Sequence, residues 1–351
     1  MKLNRIPLCS LALLALGLAI NPAQAQLPIS QTEGLLQVTL PAAQTTYLGL
    51  PFTRKPVGRF TVASVAGSTL NLTGAALTPA ALAAATTPHS VQLIGGANDG
   101  LVFKITGNTA TSVTVTPTLP TGIVANTIDA LIIPDWTLAT LFGASGTALE
   151  GDTTALLADE VTIEDGGVST KYFYQTPAVG WRKSDGSTAD QANARIPALR
   201  GLIIDRKAGA AIDFVTQGTV RSGTQRSTVP AASTTIHSFP FTTATTLAES
   251  GLQGAVTPGP AFASADKVQL EVGGVISSYF FKPGIGWRDS GDTTNAGAVV
   301  IAAAKSVRIV RGGSAPVVYP SGFSLNRPKR FYQPVVATPD TVWKSVETFV
   351  P

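Results

Sequence analysis

The stretch from Ala158 to Tyr174, ADEVTIEDGGVSTKYFY, recurs at Ala265 to Phe281 as ADKVQLEVGGVISSYFF, with nine of seventeen positions identical and no gap. Each copy continues through a proline into Gly-Trp-Arg, at residues 180–182 and 286–288. Apolar and polar residues alternate on both sides of a Gly-Gly pair, which is the pattern of an antiparallel hairpin. The sequence therefore predicts two homologous antiparallel β-modules.

Each module is predicted to contain a second hairpin. In the first copy, residues 202–206 are expected to pair with 211–215, and in the second copy 307–311 with 316–319. In each case two short apolar strand candidates follow one another in the chain, which is the pattern of a hairpin. The module would then consist of two hairpins around Gly-Trp-Arg.

A weaker match lies upstream of each copy. Pro134–Leu141 aligns with Pro240–Leu247 at a constant spacing of 106 residues, sharing a proline, two threonines and a leucine. Two copies are too few for a solenoid, so a packed tandem pair is predicted. The predicted boundaries are a signal peptide at 1–25, an N-terminal β-domain at 26–130, copy one at 131–230, copy two at 231–326 and a C-terminal tail at 327–351.

The N-terminal domain also has the pattern of β-structure. Its strand candidates are 59–65, 69–73, 91–94, 101–106, 111–116 and 130–133. Six short strands separated by turn residues predict a small β-barrel or a sandwich-like domain. One short surface helix is expected at Thr78–Ala85, which has Pro79 in its first turn. The predicted fold class is all-β.

The N-terminus has the features of an export signal. Lys2 and Arg5 precede an apolar run, Ile6–Ile20, that is short for a membrane span, and Ala23-Gln24-Ala25 is a small-x-small cleavage site. The mature chain would begin near Gln26 and contain no cysteine, since Cys9 lies in the leader. We expect an extracellular, outer-surface or periplasmic location, and no transmembrane span in the mature chain.

The composition argues against nucleic-acid binding. Removing Lys2 and Arg5 from the 25 basic residues leaves 23 against 21 acidic ones, a net charge of +2. No run of Lys and Arg is longer than Lys329-Arg330, whereas proteins that track phosphates need a clustered basic face. Charged residues make up only 13% of the chain, about half the usual share, which is typical of cell-surface material and also fits a secreted β-domain.

Several motifs together resemble a known family. They are Leu48–Pro56 (LGLPFTRKP), Ile133–Leu138 (IPDWTL), the Tyr-Phe-Tyr and Gly-Trp-Arg modules, and Gly218-Thr219-Val220. The chain resembles a family of uncharacterised secreted β-rich proteins from verrucomicrobial-type bacteria. The resemblance covers most of the mature chain and implies export and β-rich architecture, but no activity and no functional residues.

Catalytic motifs are scarce. The two histidines, His89 and His237, do not belong to any catalytic or metal-binding motif. Asp159 with Glu164, and Asp266 with Glu271, form matched acid pairs of the kind that a glycosidase requires. Five residues along a strand put such side chains on opposite faces about 16 Å apart, so solvated strand ends are the favoured interpretation.

The repeated tryptophans suggest sugar binding. Trp181-Arg182 and Trp287-Arg288 could form exposed stacking platforms for pyranose rings. Because tryptophan is more often buried, a core position is the favoured alternative.

The loops that follow them contain Asp185 and Asp190, and Asp289 and Asp292, which could bind calcium through carboxylate oxygens. Neither loop has the twelve-residue calcium spacing, and the same residues are common in turns. Ordinary turns are therefore favoured, and no cofactor is predicted beyond this calcium hypothesis.

These observations predict an exported, non-enzymatic structural or adhesion protein of the cell surface or extracellular matrix, acting through β-sheet faces or edges. Its partners would be further copies of itself or cell-envelope polysaccharide. The alternatives are a carbohydrate-binding protein that uses Trp181 and Trp287, and a glycan hydrolase that uses an acid pair.

Overall fold

A computed structural model describes residues 32–144, 148–165, 167–177, 180–221, 223–239, 243–312 and 317–319, the last of these by backbone alone. The described chain is nearly all β-structure, which confirms the predicted fold class. The predicted signal peptide and C-terminal tail lie outside the described residues.

A closed six-stranded barrel forms the N-terminal part. Three strands precede it: β1 (Glu33–Leu40), β2 (Thr45–Leu48) and β3 (Phe52–Thr53). The barrel strands are β4 (Gly58–Ala66), β5 (Thr69–Leu72), β6 (His89–Ile94), β7 (Val102–Asn108), β8 (Ser112–Thr116) and β9 (Asp129–Pro134). Their order around the barrel is β4-β5-β8-β7-β6-β9. Alternate apolar residues such as Val62, Leu93 and Ile132 fill the interior, and closure leaves this sheet without an edge.

The helix predicted at Thr78–Ala85 is wrong. Only Ala81–Ala83 form a single 3₁₀ turn, preceded by Ala80 with a φ of 61°. Leu82 is the one side chain of this turn that is buried. An alanine run with one large apolar side chain buries too little surface to hold a longer helix.

The remaining elements follow the barrel. Those up to residue 220 are β10 (Trp136–Thr137), α1 (Leu138–Phe142), β11 (Glu160–Asp165), β12 (Val168–Gln175), β13 (Gly180–Lys183), β14 (Arg195–Ile196), β15 (Leu202–Asp205) and β16 (Ile212–Val220). The later ones are β17 (Ser227–Val229), β18 (Thr234–Ser238), β19 (Thr245–Thr246), β20 (Lys267–Val272), β21 (Val275–Lys282), β22 (Gly286–Asp289), β23 (Val300–Ile301), β24 (Ser306–Val310) and β25 (Val317–Tyr319), with a 3₁₀ turn at Leu252–Gly254.

These strands form the same set of sheets twice. One five-stranded sheet has the order β13-β12-β11-β15-β2, and the other has β22-β21-β20-β24-β18. The pairs β1·β16 and β10·β14 correspond in the same way to β17·β25 and β19·β23. We call β1–β3 with β10–β16 the first module, and β17–β25 the second module. The barrel is thus inserted within the first module, between β3 and β10.

The second predicted hairpin of each module is wrong. Strand β15 pairs with β11 and β2, whereas β16 pairs with β1 and β3 in another sheet. Likewise β24 pairs with β20 and β18, and β25 pairs with β17. Both long edges of β15 and of β24 are therefore occupied by strands that lie far away in the sequence. Alternation shows that a segment is a strand but does not identify its partner.

The predicted N-terminal domain at 26–130 also needs correction. Strands β1 to β3, which lie within that range, pair with the first module rather than with the barrel. The upstream alignment at a spacing of 106 is wrong as well. Leu138 donates its N–H to Ala194, and Leu247 donates to Val299, so Leu138 matches Leu247 at a spacing of 109. Since Asp159 matches Asp266 at a spacing of 107, the first module has two more residues than the second between these two points, which shifts the register.

Candidate functional site

The two repeated tryptophans are core residues. Trp181 is 0% exposed and Trp287 is 2% exposed. The indole N–H of Trp181 donates to the carbonyl of Gly143 at 3.2 Å, and its ring centroid lies 5.8 Å from that of Phe142. The sugar-platform hypothesis for Trp181 and Trp287 is therefore wrong, because neither ring offers a face to solvent.

The first acid of each repeated pair is buried, not solvated as predicted. Asp159 Oδ2 accepts from Arg206 Nε at 2.8 Å, and Asp266 Oδ2 accepts from Arg311 Nε at 3.0 Å. Both arginines also donate to backbone carbonyls, including that of Leu40 in the case of Arg206. Asp159 therefore joins the start of β11 to the loop after β15, and Asp266 joins the start of β20 to the loop after β24. We call these two ion pairs the module clasps.

Backbone groups complete each clasp in the same way. Asp159 accepts from the backbone N–H groups of Glu150 and Lys207, and Asp266 accepts from those of Thr257 and Gly312. Burial alone would raise the pKa of Asp266, but the hydrogen bonds from Thr257, Arg311 and Gly312 outweigh it and lower the pKa. These carboxylates are saturated with donors and have a structural role.

The second acid of each pair lies between the two modules. Glu164 and Glu271 are both buried. Glu271 is ion-paired with Lys305 and accepts from the N–H of Gly274. Glu164 accepts from the hydroxyl of Ser169 at 2.9 Å, and the backbone N–H of Ile236 in the second module also favours its charged form. Burial raises the pKa of Glu164, although the nearby Arg308 opposes this.

The contact between the modules is reciprocal. Leu48 forms an isolated antiparallel bridge with Lys305, and the matched residues His237 and Arg200 form another. The N–H of Gly49 donates to Ala304, and that of Ser238 to Leu199. These backbone contacts recur with the modules exchanged, as at the two-fold interface of a homodimer.

The two histidines are also structural. His237 is fully buried and its ring nitrogens contact Arg200 and Thr235. Burial and the charge of Arg200 hold the pKa of His237 well below its usual range. Burial likewise lowers the pKa of His89, which contacts the carbonyl of Leu82. The hydroxyl of Thr235 that contacts His237 is itself buried, so this pair offers no group to a substrate.

Glu164→Gln is expected to stabilise the fold at neutral pH. The pKa of Glu164 is higher in the folded protein than the value of 4.5 for the unfolded chain, so its protonated form stabilises the fold. This stabilisation is fully present below pH 4.5 and is lost as the pH rises through the pKa of the folded state. The neutral amide removes the cost of the buried charge. Thermal unfolding should therefore show a higher midpoint for the variant at pH 7, and a smaller difference at pH 4.

The matched control for this prediction is Glu271→Gln. It leaves the ammonium of Lys305 without its carboxylate partner, so a lower unfolding midpoint is expected at pH 7. A lower midpoint for Glu164→Gln at pH 7 would contradict the assigned cost of its burial.

The proposed calcium ligands are occupied by protein groups. Asp185 and Asp190 accept backbone N–H groups two residues later in the chain. Hydrogen bonds from Thr294 and Thr293 lower the pKa of Asp289 to about 2. Asp292 is ion-paired with Lys282 and Arg288. Over the described ranges no group of three or more His, Cys, Asp or Glu side chains could hold a metal ion.

A polar cleft lies beside Arg182, the one predicted ligand-binding region that remains open. Its volume is about 240 Å³. It lies between the ends of β12 and β13, the segment 153–155 and the loop 186–188. Phe173, Gln175 and Ser184 contribute to its wall, and Arg182 Nε donates to Gln175 Oε1 at 3.3 Å. The sequence predicted Arg182 as a ligand-binding residue only because it follows Trp181 in the proposed stacking platform. No sequence pattern predicted this cleft.

An open sheet edge is the second surface feature. Strand β1 has β16 on one side, and the described residues supply no strand on the other. The outermost strands β13 and β22 are covered by their own loops, because Gln191 donates to the carbonyl of Trp181 and Ala296 to that of Trp287. On the outer face of the β1·β16 ribbon, Leu35 and Val215 are 45% and 48% exposed.

Comparison with protein-family models, curated proteins and solved structures found no match to this chain. In the described part, no helix is long and apolar enough to cross a membrane.

Proposed function

We propose that this protein is an exported, non-enzymatic structural component of the cell surface or extracellular matrix that associates with further copies of itself through sheet edges. The two matched modules then derive from an internal duplication, and the N-terminal leader directs export.

The observation that carries this proposal is the open edge of β1. None of the described residues forms a strand along one side of Glu33–Leu40, and Glu33 at the first position is the only charged residue among these eight. Natural proteins usually protect such edges with lysine, proline, a bulge or a covering loop. The outer face adds the apolar side chains of Leu35 and Val215, which lie diagonally across the β1·β16 pair. An edge of this kind favours β-augmentation by another strand.

The buried state of the conspicuous polar groups supports a role without catalysis. Asp159 and Asp266 are saturated by the clasps, and His89 and His237 are enclosed. A hydrolase would require two carboxyl groups that face a substrate. The acid pairs instead serve folding and the contact between modules.

Leu35→Lys is expected to weaken self-association. A lysine on the outer face of β1 places a charge where a second copy would pair, and it costs the fold little because Leu35 is half exposed. Sedimentation velocity over a concentration series should show association of the mature protein and a shift toward monomer in the variant.

Val124→Lys is the matched control, because Val124 is 59% exposed and lies in the loop between the barrel strands β8 and β9, outside the sheet that contains β1. It should leave association unchanged. A mature protein that remains monomeric at high concentration would contradict the proposal, as would equal effects of the two substitutions.

A further inference from the structure

The cleft in the first module is open at a place where the second module is filled. The N–H of Asp152 donates to the carbonyl of Tyr174. The N–H of Gly259 donates to that of Phe281 in the same way, and both donor and acceptor lie 107 residues further along the chain. At this spacing Ala155, which lines the cleft, matches a phenylalanine of the second module.

That phenylalanine, Phe262, packs on the sheet of the second module. Its ring lies edge to face with Phe280, with centroids 5.9 Å apart, and the ammonium of Lys267 lies 5.1 Å from its centroid. Phe280 matches Phe173, which lies in the wall of the cleft. Because the first module has Ala155 in place of this ring, the equivalent space has room for about one six-membered ring.

A carboxylate fills a second part of this place in the second module. Asp292 accepts from Arg288 Nε at 2.9 Å and is ion-paired with Lys282. Asp292 matches Gly186, because each lies five residues after the tryptophan of its module and each has a positive φ, 56° for Asp292 and 88° for Gly186. Gly186 lines the cleft, and a Cβ atom placed on it would meet no atom within 4 Å. The first module therefore lacks both side chains that occupy this place in the second.

Neutral hydrogen-bonding groups line most of the cleft. Gln175 in its wall accepts from Arg182 Nε at 3.3 Å and donates to the carbonyl of Thr153 at 3.2 Å, so three segments of the wall are linked. The hydroxyl groups that line the cleft are those of Thr153, Thr154, Ser184, Ser187 and Thr188. Such a wall suits a ligand that itself carries several hydroxyl groups.

Charges of both signs lie beside the cleft. Arg182 and Lys183 are in its wall. Ser184, also in the wall, donates its hydroxyl to the buried carboxylate of Glu160 at 2.7 Å. Glu160 stands where the second module has Lys267. An ionic ligand of either sign would therefore meet a like charge, which favours a neutral ligand.

We propose that this cleft binds one neutral hexose unit of a polysaccharide. A pyranose ring has apolar C–H groups and a rim of hydroxyl groups. Phe173 supplies an apolar contact for the C–H groups, and hydroxyls such as those of Thr154 and Ser187 supply partners for the rim. An aromatic side chain of a partner protein has a similar size, but it would leave these hydroxyl groups unpaired.

The size of the cleft limits the ligand to a single unit. Its volume of about 240 Å³ lies below the range of about 300–1,000 Å³ that is usual for drug-sized ligands. The remaining units of the polysaccharide would extend into solvent.

Isothermal titration calorimetry of the mature protein with four neutral tetrasaccharides tests this assignment. The sugars are cellotetraose, mannotetraose, galactotetraose and maltotetraose, and we expect at least one of them to bind saturably. Ala155→Phe places a ring in the cleft, as in the second module, and should weaken this binding at least tenfold. Ser187→Ala removes one hydroxyl from the wall and should weaken it about two- to tenfold.

The matched control is Ala263→Phe, which adds the same ring at an exposed position of the second module and should leave affinity unchanged. Thermal unfolding of each variant checks that it is folded. Sedimentation of Leu35→Lys reports separately on self-association, so the binding proposal and the proposed function can each fail without the other.

Four results would overturn the binding proposal. They are no binding of any of the four sugars, unchanged affinity in both Ala155→Phe and Ser187→Ala, an equal loss in Ala263→Phe, and a competing ligand that binds more tightly than every neutral sugar. The competing ligands are tetragalacturonate and N-acetylphenylalaninamide. Tighter binding of the first would assign the cleft to an acidic sugar, and tighter binding of the second would assign it to an aromatic side chain of a partner protein.

Discussion

Arg206→Ala is expected to lower the free energy of unfolding by about 3–5 kcal/mol, since it leaves the buried carboxylate of Asp159 without its cation. Arg206 also donates to the carbonyls of Leu40, Ala208 and Ala210, which would lose a donor in the same step. An alanine cannot replace any of these bonds. Urea denaturation followed by tryptophan fluorescence measures the effect.

Two further substitutions make this test specific. Arg311→Ala removes the second clasp and should have an effect of similar size, since Arg311 and Asp266 are equally buried. Arg59→Ala removes an exposed ion pair with Asp129 and should cost at most about 1 kcal/mol. If Arg206→Ala were as mild as Arg59→Ala, the clasp would not be a main determinant of stability.

Trp181→Ala is expected to destabilise the first module by about 3–5 kcal/mol, because it removes the largest fully buried side chain and leaves a cavity. The lost volume lies next to Phe142 and Tyr174, whose rings are each centred 5.8 Å from that of Trp181. Thermal unfolding monitored by circular dichroism gives the shift in midpoint. Trp287→Ala should act similarly on the second module, where Trp287 packs on Phe281 at 5.5 Å.

The matched control is Leu157→Ala, since Leu157 is a large apolar residue that is well exposed. It should change the unfolding free energy by less than about 0.5 kcal/mol. A Trp181→Ala variant that retained full stability would revive the hypothesis that this tryptophan serves a ligand.

The sequence predicted local structure well where two independent signals agreed. Alternation on both sides of Gly166-Gly167 and of Gly273-Gly274 correctly predicted the hairpins β11–β12 and β20–β21. The six barrel strands followed from the same period of two and from their turn residues. These features depend on contacts between residues that are close in the chain, which the pattern of side chains determines directly.

Long-range pairing was missed although a sequence signal for it existed. Thr39-Leu40-Pro41-Ala42-Ala43 resembles Thr228-Val229-Pro230-Ala231-Ala232, and each segment is followed one residue later by Thr-Thr. Ala43 and Ala232 both adopt left-handed conformations, with φ of 51° and 45°. This match shows that the first module begins before the barrel, but the inserted barrel separates it from the rest of its repeat.

The acid pairs show why burial is difficult to predict from a sequence. Asp159 and Glu164 have the spacing of solvated strand ends, yet one meets Arg206 and the other faces the second module. Their partners lie on strands and loops whose position depends on how the sheets assemble. The cleft has the same origin. Ala155, which lines it, matches Phe262 of the second module only in the register that the backbone bonds of Asp152 to Tyr174 and of Gly259 to Phe281 establish.

By itself the sequence determined the all-β class, the hairpins and the repetition of a module, because a period of two and a pair of glycines act over a few residues. Only the tertiary structure decided that a barrel interrupts the first module, that Trp181 and Trp287 are enclosed, and that no other described strand covers the second edge of β1. These properties depend on which distant strands become neighbours. That choice is made by the packing of complete sheets and not by any single segment.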